Sequence, residues 1–353
     1  MVDVVGYDVG GANTKAAFVT IKAGELLNVQ GAAEYFPVWK HPEKMVDVLL
    51  ALKEQLGTVR LDGVGLTMTA ELSDAYQTKR EGVTHILDCV KKAYPDVPIY
   101  VLNSDVKMEP LEVAKQTPLE VAAANWAATG WLVSKHLKDC VVVDVGSTST
   151  SIIPIVNGKV AARGKTDLDK LICGELVYTG SLRTNVAAIV QSIPTSKGVA
   201  AVASELFALS SDVHLVLGNI TEKEFTSETA DGRGKSLPET YGRLARVICA
   251  DTEMLTPREI LDIAQYIYGK QLLQVEEGLS KVYAYTKTLV SGKVPVVVTG
   301  LGKNFIAKKA AMNLCVDSII DLGTLLPKNA VFATPAFGVA LMAAHMLERE
   351  CHK

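Results

Sequence analysis

Val4-Val5-Gly6-Tyr7-Asp8-Val9-Gly10-Gly11-Ala12-Asn13-Thr14-Lys15 opens this chain, and Val141-Val142-Val143-Asp144-Val145-Gly146-Ser147-Thr148-Ser149-Thr150 repeats its pattern far downstream. In each stretch an apolar run ends in Asp, one residue intervenes, and Gly then leads into small hydroxyl or amide residues. A second apolar run follows each time, Ala16 to Ile21 and Ile152 to Val156. The pattern predicts a strand, a tight turn and a second strand. With little side-chain bulk in the turn, backbone N–H groups can approach a phosphate. A carboxylate at a strand end can hold a hydrated Mg²⁺. Two such loops predict two related halves that share one anionic ligand.

Working outward, the chain has 353 residues, enough for two domains. Hydrophobic residues make up 48% and charged residues 21%, so each domain can build its own core. The net charge of −3 and the absence of a basic run argue against nucleic acid as the main partner. No stretch is apolar over the roughly 18 residues that span a bilayer, so no membrane partner is expected. Asp3 in the first strand argues against a signal peptide. The six cysteines are scattered with no CxxC pair, which suggests neither a zinc site nor a disulfide framework and places the protein in the cytoplasm.

Strands are expected near 3–8, 16–21, 63–69, 99–102, 140–145 and 295–299. Helical spacing covers Met45 to Leu56 and Val83 to Val90. Thr117-Pro118-Leu119-Glu120 starts a helix expected to run to Leu137 and bridge the halves. Ser236-Leu237-Pro238-Glu239 and Thr256-Pro257-Arg258-Glu259 repeat that start, the second opening a helix to Leu289. Asn157-Gly158 marks a hairpin, and the polar stretch 222–235 is read as a mobile loop. The domains are expected at 1–137 and 138–333, with a C-terminal helix over 334–353 packing back on the first.

The first loop supplies Gly10, Gly11, Asn13, Thr14 and Lys15, with Lys15 as a point charge on phosphate. The second supplies Gly146, Ser147, Thr148 and Ser149. Asp8 and Asp144 are the expected metal ligands, because like charges sharing a ligand require a cation between them. Gly300-Leu301-Gly302 lies in a strand-to-helix turn whose N–H groups can meet an anion. Glu71 and Asp74, just past a strand end, are candidates for a general base or a second metal contact, with Lys79 and Arg80 following. Arg183 can clamp a phosphate or carboxylate. Asp212 and His214 are read on a strand, with His214 a satisfied core histidine, and Cys173 as a buried thiol.

These motifs together resemble the acetate and sugar kinase/Hsp70/actin superfamily, and more narrowly its hydantoinase A/oxoprolinase branch. The resemblance implies an α/β fold of two domains, actin/Hsp70/sugar-kinase-like and built from duplicated ribonuclease H-like units, with a cleft between them. A single-chain subgroup of that branch, found in methanogens and methylotrophs, is tied to one-carbon cofactor biosynthesis. Membership would imply a transferase joining a phenolic amine, gamma-glutamyltyramine, to an aminomethylfuran-methyl diphosphate with loss of pyrophosphate. In that chemistry Asn13, Thr14, Lys15, Ser147 and Thr148 bind diphosphate oxygens. Mg²⁺ is the expected cofactor, and ATP or another nucleotide is an alternative ligand for the same loops. The competing classes are an ATP-dependent kinase or amidohydrolase and a non-catalytic nucleotide-binding regulator. A homodimer is compatible with the sequence.

Overall fold

The computed structural model describes residues 1–57 and 60–351. Contacts divide the chain into two units, Met1–Asp139 with Ile155–Asp169 and Leu322–Lys353, and Cys140–Pro154 with Lys170–Asp321. Residues 155–169 and 322–333 thus pack with the first unit.

In the first unit β1 (Val2–Val9), β2 (Asn13–Lys22) and β3 (Glu25–Tyr35) form an antiparallel meander. β4 (Gly63–Met68) and β5 (Ile99–Leu102) continue the sheet in parallel, and β6 (Met108–Pro110) closes its edge antiparallel. The strand order is β3-β2-β1-β4-β5-β6. Val5, Tyr7 and Val9 point into a core shared with the helices Met45–Gln55 and Lys79–Ala93. Side chains alternate along a strand, so Gly6 and Asp8 face the other side. There the helix Thr334–Cys351 lies against β1, β2 and β4. Only glycine allows that approach: a Cβ on Gly6 would sit 2.1 Å from the Ala336 carbonyl oxygen, and one on Gly65 would sit 2.3 Å from that of Val339. The expected end of this helix at 353, and the side chain of Cys351, lie outside the described residues.

The second unit repeats the plan. β7 (Cys140–Val145) and β8 (Thr150–Val156) are neighbours joined by a short turn, and β9 (Lys159–Val160), in the segment assigned to the first unit, pairs antiparallel with the end of β8. β10 (Leu176–Val177) lies on β8, β11 (Ser192–Thr195) and β12 (Gly198–Ala201) form a separate hairpin, and β13 (Val296–Gly300) and β14 (Ile319–Asp321) run parallel to β7. The order β10-β8-β7-β13-β14 matches β3-β2-β1-β4-β5 position for position. This is the duplicated ribonuclease H-like plan of the actin, Hsp70 and sugar-kinase fold. The helix Pro257–Leu289, capped by Thr256 and Glu259, serves two cores. Its first turns join a cluster with Val186, Ile193, Val213 and Leu244, and its later turns pack on Val141, Val143 and Val296.

Three expectations are corrected. The helix read over 117–137 is broken into Pro118–Val121 and Asn125–Ser134, because Ala123 takes a left-handed φ of 50°. Residues 212–216 are helical, not a strand: Ser210–Val216 is one buried helix whose Asp212 carboxylate accepts from the Leu209 N–H at 2.9 Å, and Leu217 and Gly218 form the turn after it. Asp212 and His214 alternate with Val213 and Leu215, so this short helix carries the period of two that marks a strand. The loop 222–235 is pinned rather than mobile, since the buried Arg243 guanidinium bonds Asp231, the Gly234 carbonyl and Asp212.

Gly6→Ala should cost about 1–3 kcal/mol or more in urea unfolding, because backbone rather than a yielding side chain stands in the way. Gly11→Ala is the control: nothing lies within 4 Å of its Cβ position, so its midpoint should move by less than about 1 kcal/mol.

Candidate functional site

Both phosphate-loop turns close in the same way. The Gly10 N–H donates to the Asn13 carbonyl at 3.1 Å, and the Gly146 N–H donates to the Ser149 carbonyl at 2.9 Å. Gly10 is needed sterically, since a Cβ there would lie 2.7 Å from that carbonyl oxygen. Gly11 borders open space, which leaves backbone in reach of a ligand.

In the first unit Asp8 is buried at the carboxyl end of β1, directly opposite Lys15 on β2 and Thr67 on β4. Opposed residues project to the same face, so the carboxylate of Asp8, the ammonium of Lys15 and the hydroxyl of Thr67 share one strand end. Ligands of α/β sheets bind at such carboxyl ends. Thr67 is buried on that face, and Thr14, paired with Val9, is buried on the other, each with a hydroxyl oxygen that no side chain or backbone group satisfies. Three residues past β4, Glu71 is 1% exposed and neither carboxylate oxygen makes a hydrogen bond of normal geometry, although the backbone N–H groups of Glu71 and Ala123 stand near enough to act on it. Such orphaned buried polar atoms are costly, and they mark places where a ligand or water completes the bonding.

The structure separates the two candidate carboxylates. Asp74 is exposed. Burial pushes Glu71 up to about 7, with the Lys79 ammonium nearby and the N–H groups of Glu71 and Ala123 opposing the rise. The Lys79 Nζ lies 3.8 Å from Glu71 Oε1 and 2.5 Å from Asp167 Oδ2. Lys79 is therefore engaged by two carboxylates rather than open to an anion. Its charge beside Glu71 also disfavours a metal ion there. Arg80 is exposed. Gly82 makes the arrangement fit, because a Cβ on it would meet the Glu71 backbone at 2.6 Å.

In the second unit the segment Thr179–Thr184 wraps the second loop. The Ser181 N–H donates to the Gly146 carbonyl, and the Leu182 and Arg183 N–H groups donate to that of Ser147, at 2.9–3.0 Å. A Cβ on Gly180 would lie 2.6 Å from the Ser147 and Thr148 backbone. Arg183 Nη1 reaches Thr148 Oγ1 at 3.4 Å, so the sequence-picked cation does join this loop. Gly300 and Gly302 are explained by packing. At φ 86°, a Cβ on Gly300 would lie 2.3 Å from the Val145 carbonyl oxygen and 2.6 Å from Asp144 Oδ1. The Gly302 N–H donates to that same carbonyl at 3.0 Å.

A buried relay supports the wrap. Gln271 Nε2 donates to Thr179 Oγ1 and to the Gly180 carbonyl, so its Oε1 must accept from His214 Nε2 at 2.9 Å. His214 Nδ1 then accepts from Asn219 at 3.1 Å. Burial pushes His214 down to about 4, and it packs on Phe305 at 4.5 Å between ring centroids. It is the satisfied, neutral core histidine expected. Cys173 is only half-buried, contrary to expectation.

Sequence reading missed Asp167 and Gln271. Asp167 is 88 residues from Lys79, and no local pattern joins them. Gln271 did leave a signal: a polar residue on the stripe Ile260, Ile263, Ile267 and Val275, which the fold buries completely.

The pattern of the hydantoinase/oxoprolinase family matches residues 62–346. The chain belongs to this family. It is 38% identical over 347 residues to the (4-{4-[2-(gamma-L-glutamylamino)ethyl]phenoxymethyl}furan-2-yl)methanamine synthase of Methanocaldococcus jannaschii, covering 98% of this chain and 99% of that one. It is 35% identical over 225 residues to the synthase of the same name from Methanococcus vannielii, covering 63% of this chain and 98% of that one. Among solved structures, the nucleotide-free acetone carboxylase superposes with a TM-score of 0.51 at 12% identity, over 96% of this chain and 70% of that one, a likeness of fold alone. No helix among the described residues is long and apolar enough to cross a membrane.

Glu71 gives a stability signature with a definite sign. Its folded-state value is raised, so the fold favours the protonated acid. The cost of ionising it starts as pH climbs past the ordinary carboxylate range and is complete above about 7. Glu71→Gln should therefore stabilise the protein by about 3 kcal/mol at pH 8 and leave it unchanged near pH 4, read as urea midpoints across pH.

Proposed function

We propose that this chain is a (4-{4-[2-(gamma-L-glutamylamino)ethyl]phenoxymethyl}furan-2-yl)methanamine synthase. It joins gamma-glutamyltyramine to an aminomethylfuran-methyl diphosphate and releases pyrophosphate. The carrying observation is the 38% identity to the Methanocaldococcus jannaschii synthase from end to end of both chains. The chemistry suits the residues at the strand ends. The phenol oxygen forms a bond to the furanylmethyl carbon while the bond from that carbon to the diphosphate oxygen breaks. The electron pair leaves with pyrophosphate, and the phenol proton needs an acceptor.

Glu71 is that acceptor. A carboxylate raised to about 7 holds a proton far better than an ordinary one near neutral pH, and its buried oxygens lack hydrogen bonds of normal geometry that would compete for it. Gly11, Asn13, Thr14 and Lys15 meet the diphosphate of the first loop, and Gly146, Ser147, Thr148, Ser149 and Arg183 offer the same kind of groups in the second. Donors fixed before reaction favour the charge that grows on the leaving group.

The residues also fit Mg²⁺. Asp8 and Asp144 each stand at the end of a central strand, and Thr67 places an unsatisfied hydroxyl beside Asp8. Mg²⁺ takes one or two carboxylates, with waters and phosphate oxygens completing its octahedron, rather than an all-protein cage. When bound, it would neutralise the diphosphate charge.

Purified protein with Mg²⁺ should yield the coupled ether by mass spectrometry, with one pyrophosphate per ether and no ATP consumed. Glu71→Gln should lower kcat by about 100-fold or more, while Asp74→Asn stays within a few-fold of the parent. Hydrolysis of ATP with no ether would move the protein to the kinase or amidohydrolase class.

A further inference from the structure

Lys79 occupies an unusual place. It is the first residue of the helix Lys79–Ala93, whose Thr78 cap accepts from the Glu81 N–H at 3.2 Å. A cation at a helix N-terminus opposes the helix dipole, so position alone does not favour it. Its surroundings do. The Nζ makes its hydrogen bond to Asp167 Oδ2 at 2.5 Å and stands 3.8 Å from Glu71 Oε1, beyond hydrogen-bond range. All three groups belong to the first unit. Glu71 is fully buried, while the side chains of Lys79 and Asp167 are 27% and 22% exposed.

We propose that Lys79 and Asp167 form a positioning pair that sets the charge state of Glu71 for ether formation, an inference that rests on the synthase reading above. Asp167 holds the ammonium back from Glu71. The Glu71 oxygens keep through-space attraction from the cation yet are not capped by its N–H groups, and so they stay open to the phenol proton. A direct bond would stabilise the carboxylate too well for it to act as a base at neutral pH. No cation at all would leave the acid protonated there.

The groups facing Glu71 are few. Lys79 comes from the following helix and Asp167 from the helix Asp167–Cys173. The Tyr76 ring shares with Glu71 the space against Gly82. Burial keeps the Tyr76 phenol well above its ordinary value, and its hydroxyl is bonded to His85 Nδ1 at 2.7 Å, so it stays neutral in the working range. Burial lowers His85 itself. The remaining contributions are the backbone N–H groups of Glu71 and Ala123. Lys79 and Asp167 are thus the charges that can tune this carboxyl, and they act in opposite directions.

The test is the pH profile of kcat/KM for ether formation. Lys79→Met should move the acid limb up by about one pH unit or more, and Asp167→Asn should move it down. Lys79→Arg should stay close to the parent. Two variants that shift the limb in the same direction, or that lower activity evenly across pH, would overturn the pair. If Lys79→Met does not fold, Lys79→Gln takes its place.

A second readout needs no turnover. The pH at which the loss of urea midpoint from ionising Glu71 is complete, measured against Glu71→Gln in each background, should move in the same opposite senses. Absence of ether in every protein, parent included, would sink the synthase reading, while this second readout would still decide on the pair.

Discussion

Everything at the candidate site depends on one short backbone bond made twice. The glycine N–H after the strand-end Asp folds back to the carbonyl three residues on, at Gly10 and again at Gly146. That bond closes the turn without using side chains. The neighbouring small residues are left facing outward, and Asp8 and Asp144 are held at the ends of the central strands. The turn works because the central strand also pairs in parallel with a later one, β1 with β4 and β7 with β13. Parallel pairing brings a second strand end to each loop, and with it Thr67 in one unit and Thr299-Gly300 in the other. A tight hairpin alone would be an ordinary turn; a hairpin beside a parallel strand end forms a crevice.

Close approach is the second constraint. Gly6, Gly65, Gly180, Gly300 and Gly302 each stand where a Cβ would strike backbone or packed side chain within 2.6 Å. In the first unit this lets a helix from the chain's end lie on the sheet. In the second it lets Thr179–Thr184 and the strand-to-helix turn press against the loop and fix its shape through backbone bonds. Gly11 is different. Nothing nearby requires it, and its lack of a side chain matters only for something that enters from outside.

Buried polar groups divide along the same line. Arg243 with Asp212, and Gln271 with His214, are satisfied on every side, and they hold loops in place. Glu71, Thr14 and Thr67 are buried but unsatisfied. Desolvation outweighs the pull of Lys79 on Glu71, because the ammonium hydrogen-bonds Asp167 rather than Glu71. Thr129, Ser211 and Ser227 are also buried without partners, so incomplete bonding points to a reactive crevice only where it gathers at the strand ends.

The sequence by itself determined the duplicated strand–turn–strand units, the capped starts of the helices near 237 and 257, and the loop residues Gly10, Asn13, Lys15, Ser147 and Thr148. These are local: a turn, a cap or an apolar period is written within a few consecutive residues. It misread 212–218, because Asp212 and His214 alternate with Val213 and Leu215 as in a strand, and it ran the 117–137 helix through the left-handed Ala123. It could not rank Glu71 above Asp74, since the two stand three residues apart on the same strand end. Only the tertiary structure decided that, by burying Glu71 under Gly82 and bringing Asp167 to Lys79 from 88 residues away. Burial and long-range charge set the chemistry of a carboxyl group, and neither is encoded in its neighbours along the chain.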